Sequence, residues 1–154
     1  SVTIVEFFDY RCGFCKRVFP DIMKVINADQ NVRYVFKEFP ILGPESVTAS
    51  RAALAAWTVD KSKYEAFHQA MMEAKGRLPE SRVMKLAAKA GYDAKALKKA
   101  MKDPRIDKML EKNFALAKAL DINGTPGFVI GNEVIRGAID LETIKQLVAQ
   151  ARGS

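Results

Sequence analysis

Cys12 and Cys15 are the only cysteines in this chain of 154 residues, and they are separated by Gly13 and Phe14 alone. Two thiols three residues apart can close a disulfide and open it again, and one of them can resolve a mixed disulfide that the other has formed. The pair follows directly on Val2-Thr3-Ile4-Val5-Glu6-Phe7-Phe8, an apolar run broken by a single carboxylate. A three-residue loop removes little entropy from an unfolded chain, so stabilisation alone is a poor reason for such a pair. A structural zinc site asks for four Cys or His ligands, whereas His68 is the only histidine and lies far off in the sequence. Two thiolates with methionine help suit Cu(I). Met71, Met72, Met84, Met101 and Met109, however, occupy core-like positions of helical patterns, where filling gaps is the ordinary role of methionine.

The elements that must position these thiols are legible from periodicity. Residues 2–8 read as a central strand, apolar on both faces. By the two-residue alternation Glu6 shares a face with Ile4 and Phe8, which places a carboxylate inside the sheet. From Gly13 the pattern turns helical, with Cys15, Val18, Phe19, Ile22, Val25 and Ile26 on one stripe. Pro20 is expected to kink that helix. A second strand over 32–36 completes a β-α-β unit with parallel strands. The segment from Lys37 to Pro44 reads as a loop. Helices are expected over 46–59, 62–75, 80–90, 94–102 and 105–120, with Asp93 as an N-cap and Gly76 and Gly91 as stops. Phe128-Val129-Ile130 and Val134-Ile135 flank a short hairpin turn, and a last helix starts near Asp140. The expectation is therefore one α/β domain, thioredoxin-like, with a helical insertion over approximately residues 45–105.

Composition narrows the classes further. Hydrophobic residues make up 49% and charged residues 28%, as in ordinary globular domains. No stretch approaches the roughly 18 apolar residues of a membrane span. The net charge is +7, and the excess sits in residues 60–118, with 15 Lys or Arg against 8 Asp or Glu. Those lysines alternate with apolar positions along helices, as on a solvated face, and no basic-aromatic strand motif accompanies them. A nucleic-acid partner is therefore not expected. Ser1 leads straight into the first strand, so no signal peptide is read here, as in a mature secreted protein.

Glu6-Phe7-Phe8 before Cys12-x-x-Cys15, the helical insert, and the late Gly124-Thr125-Pro126 together resemble the DsbA-like branch of the thioredoxin superfamily, closest to secreted bacterial disulfide oxidoreductases. The resemblance spans nearly the whole chain. It implies a periplasmic thiol–disulfide oxidoreductase with Cys12 as nucleophile at a helix N-terminus and Cys15 as the shielded resolving thiol. It also implies that Glu6 is a buried acid serving the proton of the second cysteine, with Lys37 as a candidate partner. Thr125-Pro126 resembles the family's cis-proline loop, which with Gly13, Phe14 and the Phe39–Pro44 loop would dock an extended substrate. The redox-active disulfide needs no further cofactor and no metal. The implied partners are unfolded or cysteine-containing proteins and a membrane oxidant or thiol reductant. Gly-Phe stands where the strongest oxidants carry Pro-His, and with Thr before the proline it looks like the disulfide isomerases. Those act as oligomers through N-terminal extensions, and the sequence begins at the first strand, so such an extension would be missing or removed here.

Overall fold

A computed structural model describes residues 1–153. Four strands form one sheet in the order β2-β1-β3-β4: β1 (Val2–Phe8), β2 (Val32–Glu38), β3 (Gly127–Ile130) and β4 (Glu133–Arg136). β1 and β2 are parallel, in the register Ile4↔Tyr34, Glu6↔Phe36 and Phe8↔Glu38, while β3 runs antiparallel to both β1 and β4. The parallel pair is joined through α1 (Gly13–Ala28), which is continuous through Pro20. Between β2 and β3 run α2 (Pro44–Asp60), α3 (Tyr64–Glu73), α4 (Glu80–Lys89), α5 (Ala94–Ala100) and α6 (Pro104–Ala119), with a single 3-10 turn at Lys61–Lys63. The chain closes with α7 (Leu141–Gly153). This is the thioredoxin-like α/β fold with a helical insertion.

Strand parity decides which helices cover which face. Ile4, Phe128 and Ile130 meet Val18, Ile22 and Val25 of α1 and Ile144 and Val148 of α7. Phe7, on the opposite face, packs with Phe39, Ala117 of α6 and Ile122. Glu6 therefore lies on the α1 side of the sheet, the side on which Cys15 is buried. The insertion is organised around α2, whose inward residues are all small: Ser46, Ala49, Ser50, Ala52, Ala53, Ala55 and Ala56. Small side chains let neighbouring helices approach closely, and the volume is filled from outside by Phe67, Met71, Leu78, Val83 and Leu97, all fully buried. Met72, Met84 and Met101 are buried in the same cluster.

Where sheet and insertion meet, four polar side chains share one buried site. The hydroxyls of Tyr10 and Tyr64 donate to Glu38 Oε2 at 3.2 and 3.0 Å, and Tyr10 Oη lies 2.8 Å from His68 Nδ1. His68 stacks on Tyr64 and meets the rings of Phe8, Phe19 and Phe36. It is therefore a core residue rather than an ordinary position on a helix. Burial pushes the Glu38 carboxyl up to about 8 and pulls His68 down to about 3, so both are uncharged near neutrality.

Opposite pH dependences follow from these two groups. Between the ordinary carboxylate range and about 8, unfolded chains ionise Glu38 while the folded protein keeps it protonated. Stability then falls with rising pH by about 1.4 kcal/mol per pH unit and levels off above that window. His68 is neutral when folded and charged when unfolded below 6.5, so its contribution is lost as pH falls from there toward about 3. Glu38→Gln is expected to remove this group's share of the alkaline limb, gaining on wild type steadily in thermal melts from about pH 5 to about pH 8.

Candidate active site

β1 ends at Phe8, and the chain turns through Asp9-Tyr10-Arg11 into α1. Cys12 is the N-cap of α1, with extended backbone at φ −80° and ψ 116°. Its sulfur accepts from the Cys15 N–H at 3.2 Å and lies 3.4 Å from the Thr125 carbonyl oxygen, to which the thiol can donate. Both cysteines are free thiols, and their environments differ sharply. Donation from the Cys15 thiol, helped by Thr125 and by the Cys15 and Phe14 backbone, lowers the Cys12 thiol to about 6 against the opposing effect of its own burial. Unpaired N–H groups and the dipole at a helix start act in the same sense. Cys15 is fully buried and its thiol is pushed far up, first by burial and then by Cys12. One thiol is thus poised as a thiolate at neutral pH and its neighbour is held protonated.

Glu6 lies under the pair, fully buried, and burial pushes its carboxyl up to about 8. Its partner is Tyr34, whose hydroxyl donates to Oε1 at 3.0 Å, while Oε2 has no partner among the described residues. The expected Lys37 partnership is corrected by the parallel register. Lys37 pairs with Phe7, one residue out of step with Glu6, so the two side chains belong to opposite faces. Tyr34 stands opposite Ile4 and shares the Glu6 face. A carboxyl titrating near 8 with one free oxygen can take a proton from a buried thiol and return it.

The Thr125-Pro126 peptide bond is cis and delivers the chain into β3. Gly127 follows because nothing larger fits: a Cβ there would sit 2.6 Å from Ile122 Cγ2. At Gly13, by contrast, a Cβ would meet nothing within 4 Å, so the space beside Cys12 is open. Phe14 is 55% exposed, and the Arg17 guanidinium covers its ring at 4.4 Å from the centroid. Gly13 and Phe14 are exposed, Thr125 is half-buried, and Cys12 at 5% exposure and Pro126 are buried, so the Cys12 sulfur lies just beneath the surface that Gly13 and Phe14 open, with Cys15 and Glu6 buried as well.

The expected docking loop is only partly at the surface. β2 runs on through Glu38, because Phe8 pairs with it, and Phe39 is buried against Phe7 and Phe114. Leu42 is exposed at 48%. The loop is held by Asp9, which no sequence motif marked. Its carboxylate accepts from the Arg11 N–H, the Ser46 hydroxyl and the Ile41 and Leu42 N–H groups at 2.8–3.1 Å. Asp9→Ala is expected to cost about 3 kcal/mol, as buried donors lose a charged acceptor. A lower urea midpoint together with faster proteolysis between Phe39 and Pro44 would register it.

Lys16, next to Cys15, crosses to the insertion. Its ammonium donates to the carbonyls of Met71 and Ala74 at 2.8 and 2.7 Å, closing the C-terminal end of α3. The helix bearing the cysteines is thereby tied to the insertion.

The fold that carries this site is shared with known proteins. The profile of the DSBA-like thioredoxin domain matches residues 3–149, almost the whole chain. The chain belongs to that family. A thioredoxin-like oxidoreductase from Silicibacter pomeroyi is 40% identical, with a TM-score of 0.95 over 100% of this chain and 88% of that one. The thiol-disulfide exchange protein alpha-DsbA2 from Wolbachia pipientis is 34% identical, with a TM-score of 0.92 over 97% of this chain and 81% of that one. A periplasmic thioredoxin-like protein from Salmonella enterica is 29% identical, with a TM-score of 0.92 over 99% and 85%. Among curated proteins the chain is 27% identical to Disulfide bond formation protein D of Bacillus subtilis, spanning 96% of this chain and 71% of that protein. It also matches a Na(+)/H(+) antiporter NhaA 1 of Salinispora arenicola at 24% identity, spanning 97% of this chain and only 23% of the antiporter's length. Among the described residues no helix is long and apolar enough to cross a membrane. The DSBA-like domain is of thiol–disulfide oxidoreductase type.

Proposed function

We propose that this chain exchanges disulfides with cysteine-containing polypeptides in the periplasm, using Cys12 as nucleophile and Cys15 as resolving thiol. The observation that carries the reading is the asymmetry of the pair: a Cys12 thiol near 6 at a helix start, against a buried Cys15 held protonated. In the oxidising direction a client thiolate attacks Cys12 of the Cys12–Cys15 disulfide, and Cys15 leaves and takes up a proton. A second client thiolate then attacks the mixed disulfide and Cys12 leaves as thiolate. Two electrons have passed from client to enzyme, and a membrane oxidant must take them up to restore the disulfide. The reducing direction runs the same steps backward, with Cys12 thiolate attacking a client disulfide and a membrane thiol reductant supplying the electrons.

Glu6 serves both directions as the base or acid for Cys15. Thr125, Pro126, Gly13 and Phe14 receive the client in extended form; main-chain pairing reads little sequence and suits many unfolded clients. A thiolate stabilised this far makes the disulfide more oxidising than that of an ordinary thiol pair. We therefore assign the isolated domain to oxidation of client dithiols. Its test is a pair of assays on this chain. The oxidised protein should rapidly close the disulfide of a reduced unfolded peptide with two cysteines, while the reduced protein should leave a scrambled multi-disulfide protein unrepaired. Efficient unscrambling by this chain alone, without dithiol oxidation, would reverse the assignment.

A further inference from the structure

The surface beside Cys12 carries charge that is nearly all of one sign. Arg11 precedes the thiol directly, and Arg17 lies on the exposed stripe of α1 with Gly13 and Phe14. Helical side chains lean toward the helix N-terminus, so Arg17 reaches back toward Cys12, and its guanidinium covers the Phe14 ring at 4.4 Å from the centroid. On the insertion side, the turn between α3 and α4 adds Lys75 and Arg77. Arg82 holds that turn, its Nη1 donating to the Arg77 carbonyl at 2.8 Å. Lys16, fastened to the same turn, is pulled down to about 8, first by burial and then by the Arg82 and Arg11 charges. The cations thus act on one another across the gap between α1 and the insertion.

Carboxylates do little to cancel them. Asp9 is fully buried and its two oxygens are taken by four donors. Glu45 is the only acid in an ion pair with any of these six cations among the described residues, and it is shared between Arg11, at 3.4 Å, and Arg77. Arg17 has no ion pair among the described residues, although Asp21 lies one turn further along α1. A guanidinium stacked on a ring keeps the N–H groups of its edge free, and that edge matches a carboxylate through two parallel bonds. Held on Phe14, Arg17 also has less rotamer freedom left to lose on binding.

We infer that Arg11 and Arg17 select clients carrying Asp or Glu within two residues of the reactive cysteine, with Arg17 receiving the carboxylate beside the Phe14 ring. The spacing agrees with this. Arg17 stands about 7.5 Å along the α1 axis from Cys12, at about 1.5 Å per residue, and reaches back toward it. Two residues of an extended client cover about 6.6 Å. Opposite charge raises the rate of encounter, and like charge beside the client cysteine is turned away. That the partner is a client rests on the exchange chemistry proposed above, and the test below separates the two.

The Cys15→Ala variant leaves Cys12 as the only thiol, whose reaction needs no turnover. It should be mixed with pentapeptides whose central cysteine is a mixed disulfide with 2-nitro-5-thiobenzoate, flanked on both sides by Glu, Gln or Lys. The Cys12 thiolate attacks the peptide sulfur, a new disulfide forms, and the coloured nitrothiobenzoate leaves as thiolate. Dividing each rate by that of the same peptide with 2-mercaptoethanol, an uncharged thiol reagent, removes differences that belong to the peptides. At low salt the Glu peptide should outpace the Lys peptide by about tenfold or more, with Gln between them, and added salt should shrink the ratio. Arg17→Gln, an exposed change, should lower the ratio by about threefold, and Arg11→Gln/Arg17→Gln should bring it close to one. A ratio near one in the parent, or one unchanged in both arginine variants with intact circular dichroism spectra, would overturn the inference. Equal peptide rates together with retention on phosphatidylglycerol vesicles, lost in the arginine variants, would assign these cations to a membrane surface and overturn it too. Failure of the catalytic reading looks different: the native chain would then turn over no dithiol peptide, while its single thiol still discriminated among the three.

Discussion

Cys15→Ala is expected to turn the chain into a trap that accumulates mixed disulfides through Cys12. Cys15 sits one turn inside α1, with its backbone N–H on the Cys12 sulfur at 3.2 Å, so the resolution proposed for it would be intramolecular. Such held geometries correspond to effective concentrations far above any free thiol in solution. Without Cys15 the mixed disulfide must wait for an external thiol, and its lifetime should grow on the order of 10³-fold at millimolar thiol. Non-reducing electrophoresis of the variant after incubation with a client disulfide would show the adduct, and Cys12→Ser should show none. The opposite pattern, adducts in Cys12→Ser and none in Cys15→Ala, would exchange the two roles.

The second large effect concerns Glu6. A resolving thiol pushed far up by burial cannot attack until a base takes its proton, and Glu6 is a carboxyl poised near 8 on the same face of the sheet. Glu6→Gln keeps the volume and can still accept from Tyr34, but it cannot take a proton. Resolution of a preformed mixed disulfide should slow by about 10²-fold at pH 8, the lower end of what general acid–base catalysis contributes. The native rate should rise as pH climbs through about 8, following Glu6 ionisation, and the variant should lose that inflection. The stability effect runs in the other sense. The raised carboxyl disfavours the folded state as pH rises toward 8, so Glu6→Gln should melt higher than native above that pH. A profile identical in both proteins would remove Glu6 from the proton path and leave it a buried structural acid.

Much of this was readable in the chain before folding, for local reasons. β1, the switch from a two-residue to a helical period at Gly13, and the Asp93 cap each depend on near neighbours; in the structure Asp93 accepts from the Lys95 N–H at 2.9 Å. The placing of Glu6 inside the sheet also followed from parity alone. Its partner did not, because Lys37 and Tyr34 can be told apart only by the register of β2 against β1. The Glu38 site was hidden for a similar reason. Tyr10 lies in the turn after β1, while Tyr64 and His68 lie one turn apart on α3, 54 to 58 positions further on, and Glu38 looked like the start of a loop until Phe8 paired with it. Asp9 and Lys16 were legible as residue types, yet the N–H groups and carbonyls they serve belong to segments about 30 to 60 positions away. Charged side chains that bind distant main chain leave no pattern in the sequence.

The two thiols are chemically unequal, and thiol alkylation of the reduced chain against pH measures the difference. Mass spectrometry after brief exposure to iodoacetamide identifies which cysteine has reacted at each pH. The structure predicts that Cys12 alone is modified, with a single inflection near about 6, and that Cys15 stays unmodified across the neutral range. Two cysteines reacting in parallel, with inflections near the ordinary thiol value of about 8.5, would contradict it.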